Sequence, residues 1–469
     1  MSFEWKSHPL HSVGRIVTGK TPSSNIEGAF DDQGIPFITP SDMDGRRCID
    51  STVRYLSEVG LEVSKKYLVP EGSVAVSCIG SDMGKAVLVG QDSVTNQQIN
   101  TIIVDESQFN PVFVYYVLST MQQELKNIAS GSATPILNKT HFGNVEIRAP
   151  KRELQNKIVS ILEPSDLKIT LNTQTNQTLE QMAQALFKSW FVDFDPVIDN
   201  ALDSGFFERE FEGEGIPEPL AKRVAIRQAL RETAGGTDTA APVIGGLPSE
   251  TRALFPDSFE EHPELGWIPK GWGAGCLADI ASYTSNRIAT AELSLSNYVS
   301  TENMLVEKKG IVDAANLPTV NTVPAYTTGN VLISNIRPYF KKIWMANGDG
   351  GHSNDVLGFV AKHPSTEGYL FNLLYQDALF DFMMTTSKGS KMPRGDKKAI
   401  MGWPVVIPPS NLRVYFSERV GDFYVSNNSK VEENKTLANL RDTLLPKLLS
   451  GELTVLDVCQ ENQVESKVA

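Results

Sequence analysis

Gly14-Arg15-Ile16-Val17-Thr18-Gly19-Lys20-Thr21 matches the pattern GxxxxGK[ST] letter for letter. Such a loop cradles phosphates when it joins a buried strand to the N-terminus of a helix. Here Pro22-Ser23-Ser24-Asn25 follows without helical periodicity, and His8, Pro9 and His11 precede it where a core strand would be needed. The favoured reading is a turn entering an exposed loop, with a phosphate-loop NTPase as the alternative. Chemistry on a nucleobase fares no better. There is no FxGxG-like loop for S-adenosylmethionine, and Asp193-Phe194-Asp195-Pro196, the nearest approach to the [DN]PP[YF] amino-methylation motif, lacks the second proline and the aromatic. The six histidines have no triad context, and Cys48, Cys78, Cys276 and Cys459 have no CxxC spacing. Neither a catalytic residue nor a metal ligand is assigned.

What remains is the chemistry of recognition. Arg46-Arg47, Lys65-Lys66 and Lys85 in the first part of the chain lie near Ser, Thr, Asn and Gly, as do Arg287, Arg337 and Lys341-Lys342 in the second. Residues 388–398 hold Lys388, Lys391, Arg394, Lys397 and Lys398 against a single Asp396. Lysine and arginine on such loops neutralise phosphates, arginine pairs bidentately with guanine, and asparagine or glutamine reads adenine. The candidate DNA-binding residues are Lys20, Thr21, Arg46, Arg47, Lys85, Lys139, Arg287, Arg337, Lys341, Lys342, Lys388, Lys391, Arg394 and Lys397.

The elements that must position them come in two copies. Gly131, Pro135, Lys139 and Pro150 match Gly389, Pro393, Lys397 and Pro408 at one offset of 258 residues, and Asn176, Thr178 and Leu179 match Asn434, Thr436 and Leu437 at the same offset. Earlier in each half the register drifts by a few residues: residues 37–43 face 298–304, and residues 69–79 face 326–336. An offset this long means a duplicated domain rather than a solenoid. Each copy reads as a mixed α/β globule whose last strand is stopped by Pro150 or by Pro408-Pro409.

After those prolines the composition turns polar and helix-favouring. Phe416, Val420, Phe423, Asn427, Lys430, Asn434, Leu437, Arg441, Leu444 and Leu448 step by fours and threes, with Leu440 beside them. That is a heptad seam with polar interruptions. In the first copy Leu154, Ile158 and Ile161 begin a stripe that Pro164 interrupts, as a kink or the start of a new helix, and that Leu171, Leu179, Met182, Leu186 and Trp190 resume. Two helices of about 40 residues would each span about 60 Å. They pair most simply as an antiparallel coiled coil, with Asn176 and Asn434 setting register, or else each packs on its own globule. Leu179, Met182, Leu186, Trp190, Leu437, Leu440, Leu444 and Leu448 are the candidate coiled-coil or partner-binding residues.

The whole chain of 469 residues is 41% apolar, enough for two to four domains, and its net charge of −13 argues on its face against nucleic acid. The excess is local. Residues 196–266 carry fourteen acidic and six basic residues, a net of −8. This stretch reads as an acidic linker with one helix near 219–233 and a flexible glycine-rich run over 235–246. No apolar run approaches the roughly 20 residues that span a bilayer, and the N-terminus has no signal pattern, so a soluble cytoplasmic protein is expected. The fold class expected is α+β: two mixed domains joined by two long helices. The expected boundaries are 1–150, 151–195 for the central helical region, 196–265 for the acidic insert, 266–408, 409–453 for the second helical region, and a tail, 454–469.

Several segments resemble the specificity subunit of type I restriction-modification systems. Residues 18–23 look like the GxTP start of a target recognition domain. Residues 179–194, LEQMAQALFKSWFVDF, are similar to the end of the family's central helix; 265–272 resemble the entry to its second recognition domain, and 444–453 its closing helix. The resemblance covers nearly the whole chain. It implies two target recognition domains about a pseudo-twofold axis, each reading one half of a split, asymmetric DNA sequence in the major groove, with the helices as a ruler for the gap. It also implies two methylation subunits, holding S-adenosylmethionine and modifying adenine N6, and restriction subunits that translocate and cut; no cofactor is implied for this chain itself. The second copy departs from the first, since Met392 stands for Thr134 and residues 19–22 have no clear counterpart near 285–287. Reading two different half-sites would require such divergence. A protein-interaction scaffold with no DNA role is the remaining alternative.

Overall fold

The computed structural model describes residues 4–80, 82–129, 136–213, 215–233, 247–389 and 391–453. The glycine-rich run 235–246, the motif residues 130–135, the tail 454–469 with Cys459, and Ser390 lie outside the described residues. The chain divides into two compact units, 1–174 with 430–469, and 175–429. No helix among the described residues is long and apolar enough to cross a membrane.

Unit 1 holds two five-stranded sheets. In one, the strand Gly14–Thr18 pairs antiparallel with Ile99–Val104, which pairs with Val74–Ser77, which pairs with Ala86–Val89. In the other, Ser93–Thr95 runs parallel to Ile35–Ile38. Unit 2 builds the same ladders from Ala281–Tyr283, Val356–Ala361, Val331–Ser334 and Ile343–Met345. Its second sheet sets Tyr298–Val299 parallel to Gly350–His352. The strands Val74–Ser77 and Val331–Ser334 are buried along their whole length, as strands covered on both faces must be. Each is entered through a glycine at positive φ, Gly72 at +78° and Gly329 at +85°, a turn conformation that a side chain would strain.

The duplication extends to single bonds. Ile79 bridges Ile136 in unit 1 as Ile336 bridges Arg394 in unit 2. The Cys78 amide donates to Gln98 O as the Asn335 amide donates to Asp355 O. Gln155 Nε2 donates to Pro150 O at 2.9 Å, and Arg413 Nε, at the matching position, donates to Pro408 O at 3.1 Å.

Two long helices follow the mixed domains, a central helix Arg152–Phe191 and a closing helix Ser410–Ser450. Pro164 lies inside the first without dividing it. Within each unit the two helices run antiparallel. In unit 1 Asp166 meets Arg441, and Asn172 Nδ2 donates to Asn434 Oδ1 at 2.9 Å. In unit 2 Asn176 Nδ2 donates to Asn427 O, and Phe187 packs on Phe416. The seam differs from the stripe expected in the central helix. Leu171 and Met182 are 57% and 47% exposed, whereas Asp166, Asn172 and Ala183 are buried. The middle of the seam is polar, so hydrophobicity alone misplaces it by a residue. In the closing helix Leu448 is buried, Leu437 and Leu444 are partly buried, and Leu440 is exposed.

The acidic stretch is not a bare linker. It forms helices Asp195–Ser204, Phe206–Glu210, Glu218–Thr233 and Ser249–Arg252, then a hairpin of Phe259–His262 with Gly266–Pro269. Phe206, Phe207, Leu220, Val224, Phe255 and Phe259 join the unit 2 core around Trp190, Phe191 and Trp272. Part of its negative charge is consumed internally: Asp199 pairs with Arg227 and Arg231, and Asp203 with Arg231 and Arg252.

Candidate nucleic-acid interface

Hydrogen bonding gathers several loops of unit 1 at one end of its central sheet. Thr18 Oγ1, at the end of its strand, donates to Asn100 Oδ1 at 2.6 Å, and Asn100 Nδ2 donates to Leu137 O at 3.2 Å. The loops carrying Lys20-Thr21 and Asn138-Lys139 therefore leave the sheet side by side. Gln97 closes the group, its Oε1 accepting from Thr21 Oγ1 at 2.7 Å. An open depression of about 530 Å3 lies among Thr18, Gly19, Lys20, Thr21, Tyr67 and Gln97. Gln97 and Tyr67 were not among the sequence candidates. The signal for Gln97 was the amide run Asn96-Gln97-Gln98 between two strands, since a glutamine there can read adenine.

The same geometry overturns the phosphate-loop alternative. Gly14–Thr18 is itself the strand, and the next regular element after Thr21 among the described residues is the strand Phe30–Asp31, not a helix. The two glycines of the pattern have packing reasons instead. A Cβ on Gly14 would sit 2.2 Å from Ile103 O, and one on Gly19 2.1 Å from Thr95 O.

Unit 2 presents the matching end. Beyond Ser334 the chain turns at Arg337, whose amide donates to Pro393 O at 2.8 Å, while Lys388 and Arg394 exchange two backbone bonds. Tyr283 Oη donates to Lys397 O at 2.9 Å. Arg337, Lys388, Lys391, Arg394 and Lys397 thus share one end of the sheet. Arg337 and Lys341 hold positive φ, +50° and +49°, about the one-turn helix Pro338–Phe340; each such residue costs about 1–3 kcal/mol and is tolerated where the surroundings impose it. Lys139 and Lys397 are true equivalents: each is exposed and opens a short helix, capped by Asn138 in one case and Asp396 in the other.

The remaining cations are partly committed within the fold. Arg46 pairs with Asp44 at 3.0 Å, Lys85 with Asp82 at 3.0 Å, Lys341 with Asp377 at 3.0 Å, Lys388 with Asp396 at 2.7 Å and Arg394 with Asp355 at 3.2 Å. Arg287 bonds Thr322 on the neighbouring strand of its own sheet, the second sheet of unit 2. Lys342 donates to Thr301 O at 2.6 Å, and burial lowers its pKa. Arg47 turns inward: its side chain is 11% exposed and its Nη2 donates to Glu163 of the central helix at 2.6 Å. Burial alone would lower the Arg47 pKa, but the bond to Glu163 and the neighbouring Asp166 reverse the direction. Its chemistry is therefore that of a domain-to-helix contact and not of a phosphate clamp. Lys20, Lys139, Lys391 and Lys397 are exposed and form no ion pair among the described residues.

The helix candidates divide by burial. Trp190 and Leu448 are core residues, stacked on Tyr415 in unit 2 and packed in the unit 1 core respectively. Leu179 and Leu186 are half-buried, whereas Met182 and Leu440 face outward.

Comparisons with known proteins return one kind of relative. Residues 3–181 match the model of the type I restriction modification DNA specificity domain. The chain is 27% identical to the type I restriction enzyme HindI specificity subunit of Haemophilus influenzae, over 96% of this chain and 100% of that one. It is 25% identical to the MjaIX specificity subunit of Methanocaldococcus jannaschii, over 96% of this chain and 94% of the other. In fold it is similar to the crystal structure of the type I restriction-modification S subunit from M. genitalium, with a TM-score of 0.52 at 12% identity, covering 95% of this chain and 96% of that one. With a duplicated α+β fold, long paired helices and relatives matched end to end, the chain is similar along its length to type I restriction-modification specificity subunits.

Proposed function

We propose that this chain is the non-catalytic DNA-reading subunit of a type I restriction-modification complex, each mixed domain reading one half of a split, asymmetric sequence. In this reading residues 1–150 and 266–408 are the two target recognition domains, 151–195 and 409–453 the helices that separate them, and 196–265 an insert packed on the second. The observation that carries it is the pair of equivalent sheet ends, one with Lys20, Thr21, Gln97 and Lys139, the other with Arg337, Lys391, Arg394 and Lys397. Lysines position a domain on phosphates, and amide and guanidinium groups read base edges. Lys139 and Lys397 are shared, while the other matched positions differ in side chain, such as Ile136 and Arg394, as two different half-sites require. Two methylation subunits holding S-adenosylmethionine would modify adenine N6, and restriction subunits would join them in the cytoplasm. Those partners would also supply phosphate contacts that a chain of net charge −13 lacks.

Exchanging residues 1–150 for the corresponding domain of another specificity subunit tests the assignment. The expected result, read by mapping methylated adenines, is a new sequence in one half of the motif and an unchanged other half. Loss or change of both halves would contradict it.

A further inference from the structure

Each mixed domain meets the long helices through a buried polar contact, and the two contacts occupy equivalent positions but differ in chemistry. In unit 1 the helix Pro111–Thr120 aims Tyr116 at the central helix, where its hydroxyl donates to Asp166 Oδ2 at 2.6 Å. Asp166 is 3% exposed, and its Oδ1 accepts from Arg441 Nη1 of the closing helix at 2.7 Å. The guanidinium of Arg47 lies over the Tyr116 ring, 5.8 Å from its centroid, with its own bond to Glu163. One ionised cluster thus ties the domain to both helices. Burial opposes the charge on Arg441, yet the bonds to Asp166 and Asp442 raise its pKa.

In unit 2 the helix Glu367–Leu374 is the counterpart, with Asn372 in the place of Tyr116. Asn372 Nδ2 donates to the hydroxyl of Tyr424, which stands on the closing helix where Asp166 stands on the central one. From the opposite helix comes Gln184, next to Ala183, which matches Arg441; its Nε2 donates to Asn372 Oδ1 at 2.7 Å, and Gln376 Nε2 donates to Gln184 Oε1 at 2.9 Å. This quartet carries no formal charge. The neighbouring Glu180 bonds Tyr375 instead, and burial raises its pKa.

The two joints respond differently to loss of a member. Removing one partner of a buried ion pair leaves an uncompensated charge, whereas removing one amide bond leaves a neutral group that tolerates rearrangement more cheaply. We propose that Asp166, held between Arg441 and Tyr116, is the positioning residue that orients the first recognition domain on the helices. The fidelity of that domain's half-site then depends on this ionised joint, and the other half-site does not. The inference rests on the DNA-reading function proposed above.

The test uses the full chain assembled with its methylation subunits and compares wild type with Arg441→Gln, Arg441→Lys, Tyr116→Phe and, as the unit 2 control, Tyr424→Phe. For Arg441→Gln, discrimination against single mismatches in the first domain's half-site should fall by about tenfold, the size of one typical base-pair preference. The second half-site should hold, and Arg441→Lys should recover most of the loss. Hydrogen exchange of the free chain should quicken in residues 111–120 and not in 367–374. Tyr116→Phe keeps every charge and should act in the same direction more weakly, which covers a fold too weakened by Arg441→Gln. Tyr424→Phe should leave the first half-site untouched. Equal loss of fidelity in both halves, or exchange that changes equally in both helices, would overturn the joint. A wild-type complex that reads no split sequence would sink the functional reading, while the exchange data would still decide whether the joint holds the domain.

Discussion

At the scale of single residues, His352 shows how the two copies diverge around a common backbone. It is 3% exposed, with Nε2 at 3.1 Å from Thr284 Oγ1 and Nδ1 at 2.9 Å from Ser353 O, and unit 1 places Thr95 at the matching position. Burial lowers the His352 pKa below its usual 6.5. The unfolded chain then takes up a proton at higher pH than the folded one, so stability is level above that value and is lost as pH falls below it. The expected result is that urea unfolding followed between about pH 5 and 7.5 weakens toward acid in wild type and weakens less in His352→Asn. Identical pH profiles would refute a buried neutral histidine. The sequence shows His352 only as one of six histidines without partners, because burial of an imidazole leaves no mark in local spacing. The candidate cations were legible as residue types, but not their pairing: nothing local marks Arg47 as a partner of Glu163, 116 positions away.

At the scale of elements, the strands stopped by proline and the two long helices were readable from composition and periodicity, and they stand at Glu146–Ala149, Pro404–Ile407, Arg152–Phe191 and Ser410–Ser450. The seam was less legible, because Asp166, Asn172 and Asn176 face inward where a hydrophobic stripe points to Leu171. Polar seam residues fix register and partner choice at a cost in stability. The acidic stretch misled for a related reason: its charges dominate the composition, while its few aromatics, far apart in sequence, converge on Trp190 and Phe191. Phe187 anchors that core, with ring centroids 5.2 Å from Phe191, 5.6 Å from Tyr369 and 5.7 Å from Phe416. Phe187→Ala should therefore cost about 3–5 kcal/mol, whereas Leu171→Ala, on an exposed face, should fall within about 0.5 kcal/mol of wild type. Denaturant unfolding of both variants checks this, and a larger cost at Leu171 would restore the hydrophobic stripe.

At the scale of the whole molecule, duplication is the organising fact. The offset of 258 residues predicted two copies, and the structure repeats single hydrogen bonds at that spacing, as with Gln155 and Arg413. Conserving the backbone while changing the side chains at one sheet end is how one fold can present two reading surfaces, and the differing joints at Asp166 and Tyr424 extend that divergence beneath the surface. The bases read are not legible, since they depend on side-chain reach into a groove rather than on residue type. The most direct measurement is to express the chain with its methylation subunit in a host without adenine methylation and to map modified adenines across the genome. Reading by two separate domains predicts a split motif with one fixed gap between its halves. A continuous motif, or no modification by a stable complex whose methylation subunit is active, would contradict it.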